Sequence, residues 1–448
     1  MPELPRGWVK ASLDGLDLKI EAGLNVKCEE RPPELHERGL VKISAVTWGR
    51  FDENASKTLS LDASVNERDR ICTGDLLISR ANTIELVGSV VLVDKIERRL
   101  YLSDKVLRLV VPTEFRRWAH YALKTPELRI AIAEASSGNQ LSMRNIAQER
   151  IRALEISIAP LAEQQRIADK LDTVLARVDA CRDRLARVAP LLKRFRQSVL
   201  SAATSGQLTN PQHAWRRARA DEVCSKVQSG GTPKSGFSES GVPFLKVYNI
   251  VNQKVDFEYR PQFISEEIHR GEMRKSIARS GDVLMNIVGP PLGKVAVLDY
   301  KAAEWNINQA ITLFRPSSVI TTGWIHLLLC EGESVRAIMG RTKGSVGQIN
   351  ISLSQCRAFE FPVPPVEEQQ EIVRRVETLF AFADRLEARL DKAQTAVDRL
   401  TPALLAKAFR GELVPQDPDD EPAAELLKRL AAERAASPAT PRRRRARA

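Results

Sequence analysis

Long apolar runs are absent from this sequence, and cysteine and histidine are scarce. No apolar stretch approaches the ~18 residues that a membrane-spanning helix needs. The cysteines and histidines are scattered, so neither a disulfide framework nor a metal site is predicted. They are Cys28, Cys72, Cys181, Cys224, Cys330 and Cys356, with His36, His120, His213, His269 and His326. Met1–Trp8 lacks a basic region followed by an apolar core, so we expect no secretory signal and a cytoplasmic protein.

Recognisable catalytic motifs are missing as well. Residues 289–294, Gly-Pro-Pro-Leu-Gly-Lys, superficially resemble a phosphate-binding loop. However, Val288 stands where the first glycine of that loop belongs, and Val295 stands where Ser or Thr belongs. No Gly-x-Ser-x-Gly nucleophile turn occurs. The chain is therefore predicted not to be an enzyme.

Positive charge exceeds negative charge. The 448 residues include 68 Lys and Arg against 57 Asp and Glu, which gives a net charge of +11. Five of these charges lie near the carboxyl end, at Arg442, Arg443, Arg444, Arg445 and Arg447. This balance favours polyanionic partners but does not identify DNA, and a basic protein that binds no polyanion fits it equally well. The length predicts two to four domains.

The chain is an internal duplication. Residues 160–167, Pro-Leu-Ala-Glu-Gln-Gln-Arg-Ile, match residues 365–372, Pro-Val-Glu-Glu-Gln-Gln-Glu-Ile, at an offset of 205. Further matches follow in the same order in both halves, which chance would not produce. They pair Trp8 with Trp215, Lys42 with Lys246, Gly74-Asp75 with Gly281-Asp282, Asn145 with Asn350, and Gly206 with Gly411.

Each half has the same organisation, a mixed segment followed by a long helix. Short β-rich runs separated by Gly and Pro predict strands and turns in the mixed segments. The predicted fold class is α+β, with two tandem α/β domains separated by two long helices. The predicted boundaries are 1–159 for the first domain, 160–206 for the first helix, 207–363 for the second domain, 364–412 for the second helix, and 413–448 for a disordered basic tail. Within this tail, residues 423–436 could form one short helix.

Both helical segments show apolar residues at alternating steps of four and three. This 3.5-residue repeat is typical of a coiled-coil seam, roughly 48 Å long in the first helix. The seam residues are Ile167, Leu171, Val174, Val178, Leu185 and Leu192 in the first helix, and Ile372, Val376, Leu379, Leu386, Leu390 and Val397 in the second. The matching stripes favour an antiparallel coiled coil of the two helices. Pairing between molecules, or docking onto the helices of a partner, would use the same stripes.

The limits of the helices are marked by proline and glycine. Pro160 and Pro365 stand just before each helix, where a missing backbone N–H costs little. Gly206 and Gly411 are predicted to close the helices. The heptad pattern continues past two internal prolines, Pro190 and Pro402, so these are expected to kink the helices rather than end them.

The ordered motifs resemble the specificity subunit of type I restriction-modification systems. The resemblance rests on the Pro-x-x-Glu-Gln-Gln helix starts, the Gly-Asp-Leu-Leu-Ile-Ser-Arg-Ala-Asn stretch at 74–82, the Ser-Gly-Gly-Thr-Pro stretch at 229–233 and the Leu-Pro-x-Gly-Trp opening at 4–8. It extends to about residue 415. Each motif alone is weak evidence for this family. Their order and their duplication make the resemblance specific.

The resemblance implies a non-catalytic protein that binds double-stranded DNA. Each recognition domain would recognise one half of a bipartite site, and the two helices would set the spacing and dock two methyltransferase subunits. S-adenosylmethionine, ATP and Mg would be cofactors of the methyltransferase subunits and of restriction subunits that can join, with none bound by this chain. Three alternatives remain. They are the specificity subunit of a system that cuts on both sides of its site, a restriction enzyme carrying its own methyltransferase, and a coiled-coil scaffold that does not bind DNA.

Candidate DNA contacts follow from the chemistry that DNA requires. Lys and Arg suit phosphates, while Arg, Asn and Gln suit base edges. The candidates are Lys42, Arg80, Asn82, Asn139, Gln140 and Arg144 in the first half, and Lys246, Tyr248, Asn249, Asn286, Lys343 and Gln348 in the second. Trp8 and Trp215 both precede a strand-like run, which favours core positions over base stacking.

Overall fold

The computed structural model describes residues 4–140, 143–209, 214–289, 291–299, 303–341 and 350–436. They form two compact units, Met1–Arg184 with Ala393–Ala448, and Leu185–Lys392. We call these the first and the second unit. Each unit contains one mixed domain and part of both long helices. The units therefore divide the chain differently from the linear series of segments expected from the sequence, because each helix contributes to both.

The first mixed domain is built from short strands with four helices. Its strands are β1 (Val9–Ser12), β2 (Lys19–Ala22), β3 (Cys28–Glu29), β4 (Arg38–Val41), β5 (Ser56–Leu59), β6 (Leu76–Ser79), β7 (Ala81–Asn82), β8 (Val90–Leu92), β9 (Arg99–Tyr101), β10 (Val106–Val110), β11 (Ser137–Gln140), β12 (Met143–Asn145) and β13 (Glu155–Ile158). Its helices are α1 (Ser44–Thr47), α2 (Thr113–Ala122), α3 (Pro126–Ala135) and α4 (Gln148–Arg152).

Two four-stranded sheets organise this domain. One is antiparallel in the order β2-β10-β6-β8, and the other, β3-β5-β4-β9, contains the parallel pair β4 and β9. Strand β6 lies between two hydrophobic cores. Leu76 and Ile78 pack with the core that contains Trp118 of α2, while Leu77 packs with the opposite core. The apolar Leu-Leu-Ile run of the repeated motif thus forms a strand that is buried on both faces.

The first long helix begins at the predicted proline. It comprises α5 (Leu161–Ala186) and α6 (Val188–Thr204), which are separated only by Arg187. Arg187 keeps helical backbone angles, and Pro190 lies in the first turn of α6, where its missing N–H is tolerated. The first long helix therefore bends near Pro190 and does not end there, as expected. Gly206 follows with a left-handed φ of +83°, which suits a helix terminus.

The second domain repeats the arrangement of the first. Its strands are β14 (Arg216–Arg219), β15 (Lys226–Ser229), β16 (Val242–Leu245), β17 (Ile250–Val251), β18 (Lys254–Val255), β19 (Phe263–Ile264), β20 (Ile277–Arg279), β21 (Val283–Asn286), β22 (Val295–Val297), β23 (Glu304–Ile307), β24 (Ile311–Arg315) and β25 (Glu360–Val363). Its helices are α7 (Ala220–Val223), α8 (Glu266–Arg270), α9 (Thr322–Glu331), α10 (Glu333–Arg341) and α11 (Leu353–Arg357). The sheet β15-β24-β21-β22 matches β2-β10-β6-β8, and β16 with β23 forms the parallel pair.

The second long helix, α12 (Val366–Phe409), continues through Pro402 without a break, as expected. Within the first unit, Arg182 of α5 pairs with Asp398 of α12 at 3.2 Å. Within the second unit, Arg196 of α6 pairs with Asp384 at 2.6 Å. From Arg182 to Arg196 the first helix advances by fourteen residues, while the paired aspartate moves back by fourteen residues on the second helix. The two helices form the antiparallel pair that the matching stripes predicted.

The predicted seam residues are all buried or half-buried. Seam residues near the start of the first helix also belong to the core of a mixed domain. Ile167 and Leu171 pack with Leu405 and Ala408 inside the core of the first domain. In the second unit, a smaller cluster of purely helical contacts contains Leu192, Leu185, Leu386 and Leu390. The buried members are Ile167, Leu171, Val178, Leu192, Ile372, Val376 and Leu390, and the half-buried ones are Val174, Leu185, Leu379, Leu386 and Val397.

The tail, 413–448, contains the short helix that its sequence allowed. Helix α13 (Ala423–Ala436) forms there and packs on the first unit. Ala423 and Leu426 are buried, and the amide of Ala423 donates to the carbonyl of Gly7 at 2.9 Å. The sequence did not predict the packing of this helix, in which Leu426 belongs to an apolar face that the first domain covers. The arginine cluster at 442–447 lies outside the described residues.

Candidate nucleic-acid interface

A pocket in the first domain gathers lysines from separate elements. Lys42 follows β4, Lys57 lies on β5, and Lys105 immediately precedes β10. All three line the pocket, together with Asn25. Sequence reasoning found Lys42 through the repeat but missed Lys57 and Lys105. These are ordinary surface lysines in the sequence, and only the pairing of β4 with β5 and the turn before β10 bring them together.

Backbone hydrogen bonds and strand pairing connect this pocket to Arg80, Asn82 and Arg144. The amide of Arg80 donates to the carbonyl of Lys105 at 2.8 Å. On the next strands, Arg144 of β12 stands directly opposite Asn82 of β7. The described first-half candidates are thus brought into one region of the domain, although they are up to a hundred residues apart in the chain.

The two arginines of this region form no ion pair with a described carboxylate. Arg144 donates to the hydroxyl of Ser136 at 3.1 Å and to the carbonyl of Gly138 at 3.0 Å. These bonds fix the guanidinium but do not neutralise it. Among the residues that the structure describes, neither Arg80 nor Arg144 has a carboxylate within ion-pair distance. Uncompensated charge on a half-exposed arginine is suited to an anionic partner.

The loop after α1 borders the same region. Asn82 donates to the hydroxyl of Thr47 at 3.2 Å, at the end of α1. The next residue, Trp48, is 74% exposed, whereas most tryptophans are largely covered. Its loop is anchored by an ion pair of 2.8 Å between Arg50 and Asp179 of α5. Sequence reasoning gave Trp48 no role, and the second half has Asn252 at the corresponding position.

The second domain presents a smaller set of candidates. The ammonium group of Lys246 lies 4.6 Å from the ring centre of Phe237, a cation–π contact. The hydroxyl of Tyr248 donates to the carbonyl of Arg260 at 3.2 Å, and its ring meets Tyr259 edge to face. All of these side chains are half-buried or exposed, so they form an accessible surface of mixed aromatic and basic character.

Two second-half candidates are structural residues. The amide nitrogen of Asn249 donates to the carbonyls of Asp256 and Tyr259, and its oxygen accepts from the amide of Lys246. The amide of Asn286 is likewise used within the loop that follows β21, where its oxygen accepts from Lys294 at 2.6 Å. Asn249 and Asn286 are each 1% exposed. Their hydrogen-bonding groups hold local loops and are not presented to a base.

The remaining candidates cannot be placed. Lys343 and Gln348 lie outside the described residues, and so do the side chains of Asn139 and Gln140. In the part of the chain that the structure describes, no group of three or more His, Cys, Asp and Glu residues is arranged to hold a metal ion. Within the same residues, no helix is long and apolar enough to span a membrane.

Comparison with known proteins identifies the family. Residues 62–188 and 213–393 match the type I restriction modification DNA specificity domain. The chain is 30% identical to the type I restriction enzyme EcoKI specificity subunit of Escherichia coli K12, with 97% of both chains covered. It is equally similar, over the same shares, to the StySPI specificity subunit of Salmonella potsdam.

Solved structures show the same fold. The HsdS subunit from Thermoanaerobacter tengcongensis superposes with a TM-score of 0.55 at 21% identity, covering 92% of this chain and 98% of that one. A chain from a study of complex assembly and conformational transition of the type I R-M system gives 0.68 at 19% identity, covering 92% and 100%. The matched domains and the full-length relatives place the chain in the family of specificity subunits of type I restriction-modification systems.

Proposed function

We propose that the two mixed domains each recognise one half of a bipartite double-stranded DNA site. The observation that supports this most strongly is the duplicated position of Lys42 and Lys246, each following an equivalent strand of an equivalent sheet. In the first domain, the contacts would come from Lys42, Arg80, Asn82 and Arg144. In the second domain they would come from Lys246 and Tyr248, with Lys343 and Gln348 as further candidates from the sequence.

The antiparallel helices would set the spacing between the half-sites and dock two methyltransferase subunits. The chain itself would be non-catalytic and would act in the cytoplasm. S-adenosylmethionine would bind the methyltransferase subunits, and ATP and Mg would serve restriction subunits where these join. In this arrangement, sequence recognition and chemistry lie on different polypeptides, and this chain contributes only the recognition and the geometry.

A map of methylated adenines tests this proposal. Cells would express the chain with its neighbouring methyltransferase, and control cells would express the methyltransferase alone. We expect a split motif with a fixed gap that appears only when the chain is present. Exchange of residues 1–155 for the first domain of another family member should change one half of the motif. A change in both halves, or no chain-dependent methylation from a methyltransferase that is active with another specificity subunit, would contradict the proposal.

A further inference from the structure

Two carboxylates stand at the lysine pocket of the first domain: Asp104 lines it, and Glu30 pairs with two of its lysines. Glu30, just after β3, pairs with Lys42 at 3.2 Å and with Lys57 at 2.5 Å. Each of its two oxygens thus takes a different ammonium group. Hydrogen bonds from Lys57 and Lys42 lower the pKa of Glu30, because both ammonium groups favour its charged form. Glu30 bridges the two lysines much as two oxygens of a phosphate would.

The pairing is exposed and therefore weakly held. The Glu30 side chain is 68% exposed, against 31% for Lys42 and 36% for Lys57. Exposed ion pairs of this kind contribute little to stability, because water and salt compete with both partners. The carboxylate can consequently leave the two lysines at small cost, and the backbone of both lysines stays in place because Lys57 is part of β5 and Lys42 follows β4 directly.

The equivalent lysine of the second domain has no such partner. Lys246 lies over the ring of Phe237, and no carboxylate comes within ion-pair distance of it among the residues that the structure describes. Glu30 is therefore a feature of the first domain alone and not a requirement of the repeated fold. The repeated fold therefore does not explain why a carboxylate lies between two lysines of the proposed DNA-binding surface.

We propose that the pocket of Lys42, Lys57 and Lys105 binds one phosphate of the DNA backbone, and that Glu30 occupies it as an intramolecular competitor when DNA is absent. Displacement of Glu30 would release two lysines for the incoming phosphate. This competition lowers the affinity of the first domain for any duplex and leaves base recognition to the other residues. The inference rests on the proposed DNA-binding function. It adds a phosphate-binding site and a carboxylate that competes for this site.

The test replaces Glu30 by Gln in the full chain assembled with its methyltransferase subunits. Glu97→Gln is the matched control, because Glu97 forms an exposed ion pair with Lys95 in the same domain and its replacement changes the net charge equally. We expect E30Q to bind DNA about three- to tenfold more tightly than E97Q, with a salt dependence steeper by about one unit on the log–log scale. Specific and non-specific duplexes should gain alike, since phosphates carry no sequence information.

A second pair of variants tests the lysine side. Lys57→Met should weaken binding only slightly in the native background, where Glu30 competes for that ammonium, and about tenfold in the E30Q background. Equal affinities of E30Q and E97Q, equal effects of K57M in both backgrounds, or a gain confined to specific duplexes would overturn the inference. If no variant bound the methylated motif in preference to other DNA, the proposed function itself would fail, which is a different result.

Discussion

The indole N–H of Trp8 donates to the carboxylate of Glu163 at 2.9 Å, and Trp215 makes the same bond to Glu368 at 3.2 Å. Each bond joins the start of a domain to the first turn of a long helix. Trp8 belongs to the opening motif, Trp215 is its counterpart in the second half, and both glutamates belong to the Pro-x-x-Glu-Gln-Gln motif. Gln164 adds a bond from its amide to the carbonyl of Ala159 at 2.8 Å. The motifs that reveal the family are therefore structural connections between helix and domain.

Replacement of Glu163 by Ala should destabilise the first unit. Trp8 is only 5% exposed, so its N–H would lose its acceptor in a place that water barely reaches. An unpaired buried donor costs roughly 1–3 kcal/mol. Thermal unfolding and hydrogen exchange of β1 and α5 would measure the loss. Glu163→Gln keeps an acceptor oxygen and should cost clearly less, so equal effects of the two substitutions would contradict this explanation.

The duplication and the helix limits could be predicted because they depend on local signals. Prolines, glycines and the heptad stripe act within a few residues, and α5 and α12 begin immediately after Pro160 and Pro365 as expected. The packing of α13 against the first unit depends instead on a surface formed by residues more than four hundred positions earlier. Composition alone cannot reveal such a surface.

The candidate interface likewise combines residues that the sequence predicted with residues that only the fold revealed. Lys42 was found through the repeat, but Lys105 became relevant only through the fold. Asn249 and Asn286 had the right chemistry for base contacts, yet both side chains are consumed by loop carbonyls. A sequence records which groups could bind DNA. It does not record which of them are already satisfied within the protein.

Removal of the charge on Arg80 should weaken DNA binding. Arg80 adjoins the lysine pocket, and no described carboxylate neutralises it. Arg80→Ala should lower affinity about three- to tenfold and reduce the salt dependence by about one unit if Arg80 contacts a phosphate. Arg374→Ala is the matched control, because it removes one positive charge from α12 that Glu371 already pairs at 2.8 Å. Binding titrations over a range of salt should separate the two variants, and equal losses would exclude a direct role for Arg80.

Truncation before α13 should destabilise the first unit and leave the second intact. Leu426 is 6% exposed and Ala423 is fully buried, so their loss uncovers apolar surface worth about 2–4 kcal/mol. Hydrogen exchange can report the two units separately. The control ends the chain at Ala436, which removes the arginine cluster and should not change the stability of the first unit. Equal destabilisation by both truncations would show that α13 is not the stabilising element.

Acidification should destabilise the first unit through His120. Burial, and to a lesser extent the nearby charge of Lys124, lowers the pKa of His120 well below the usual 6.5. His120 therefore takes up a proton more readily in the unfolded chain than in the folded chain. The free energy of unfolding that His120 contributes above pH 6.5 is lost as the pH falls, by ~1.4 kcal/mol per pH unit. His120→Gln should flatten this dependence in unfolding measurements between pH 7 and 5. The exposed His36 provides the control, and an unchanged slope in H120Q would refute the assignment.

Insertion of one heptad into each long helix tests whether the helices set the spacing. The insertions belong between Arg184 and Leu185 and between Lys392 and Ala393, where the two compact units divide and the packing within each unit is untouched. Seven helical residues add about 10 Å, which corresponds to roughly three base pairs. The methylated motif should keep both half-sites and gain about three base pairs in its gap. Insertion into one helix alone would mismatch the antiparallel seams and should abolish methylation, whereas an unchanged gap with both insertions would show that the spacing is set elsewhere.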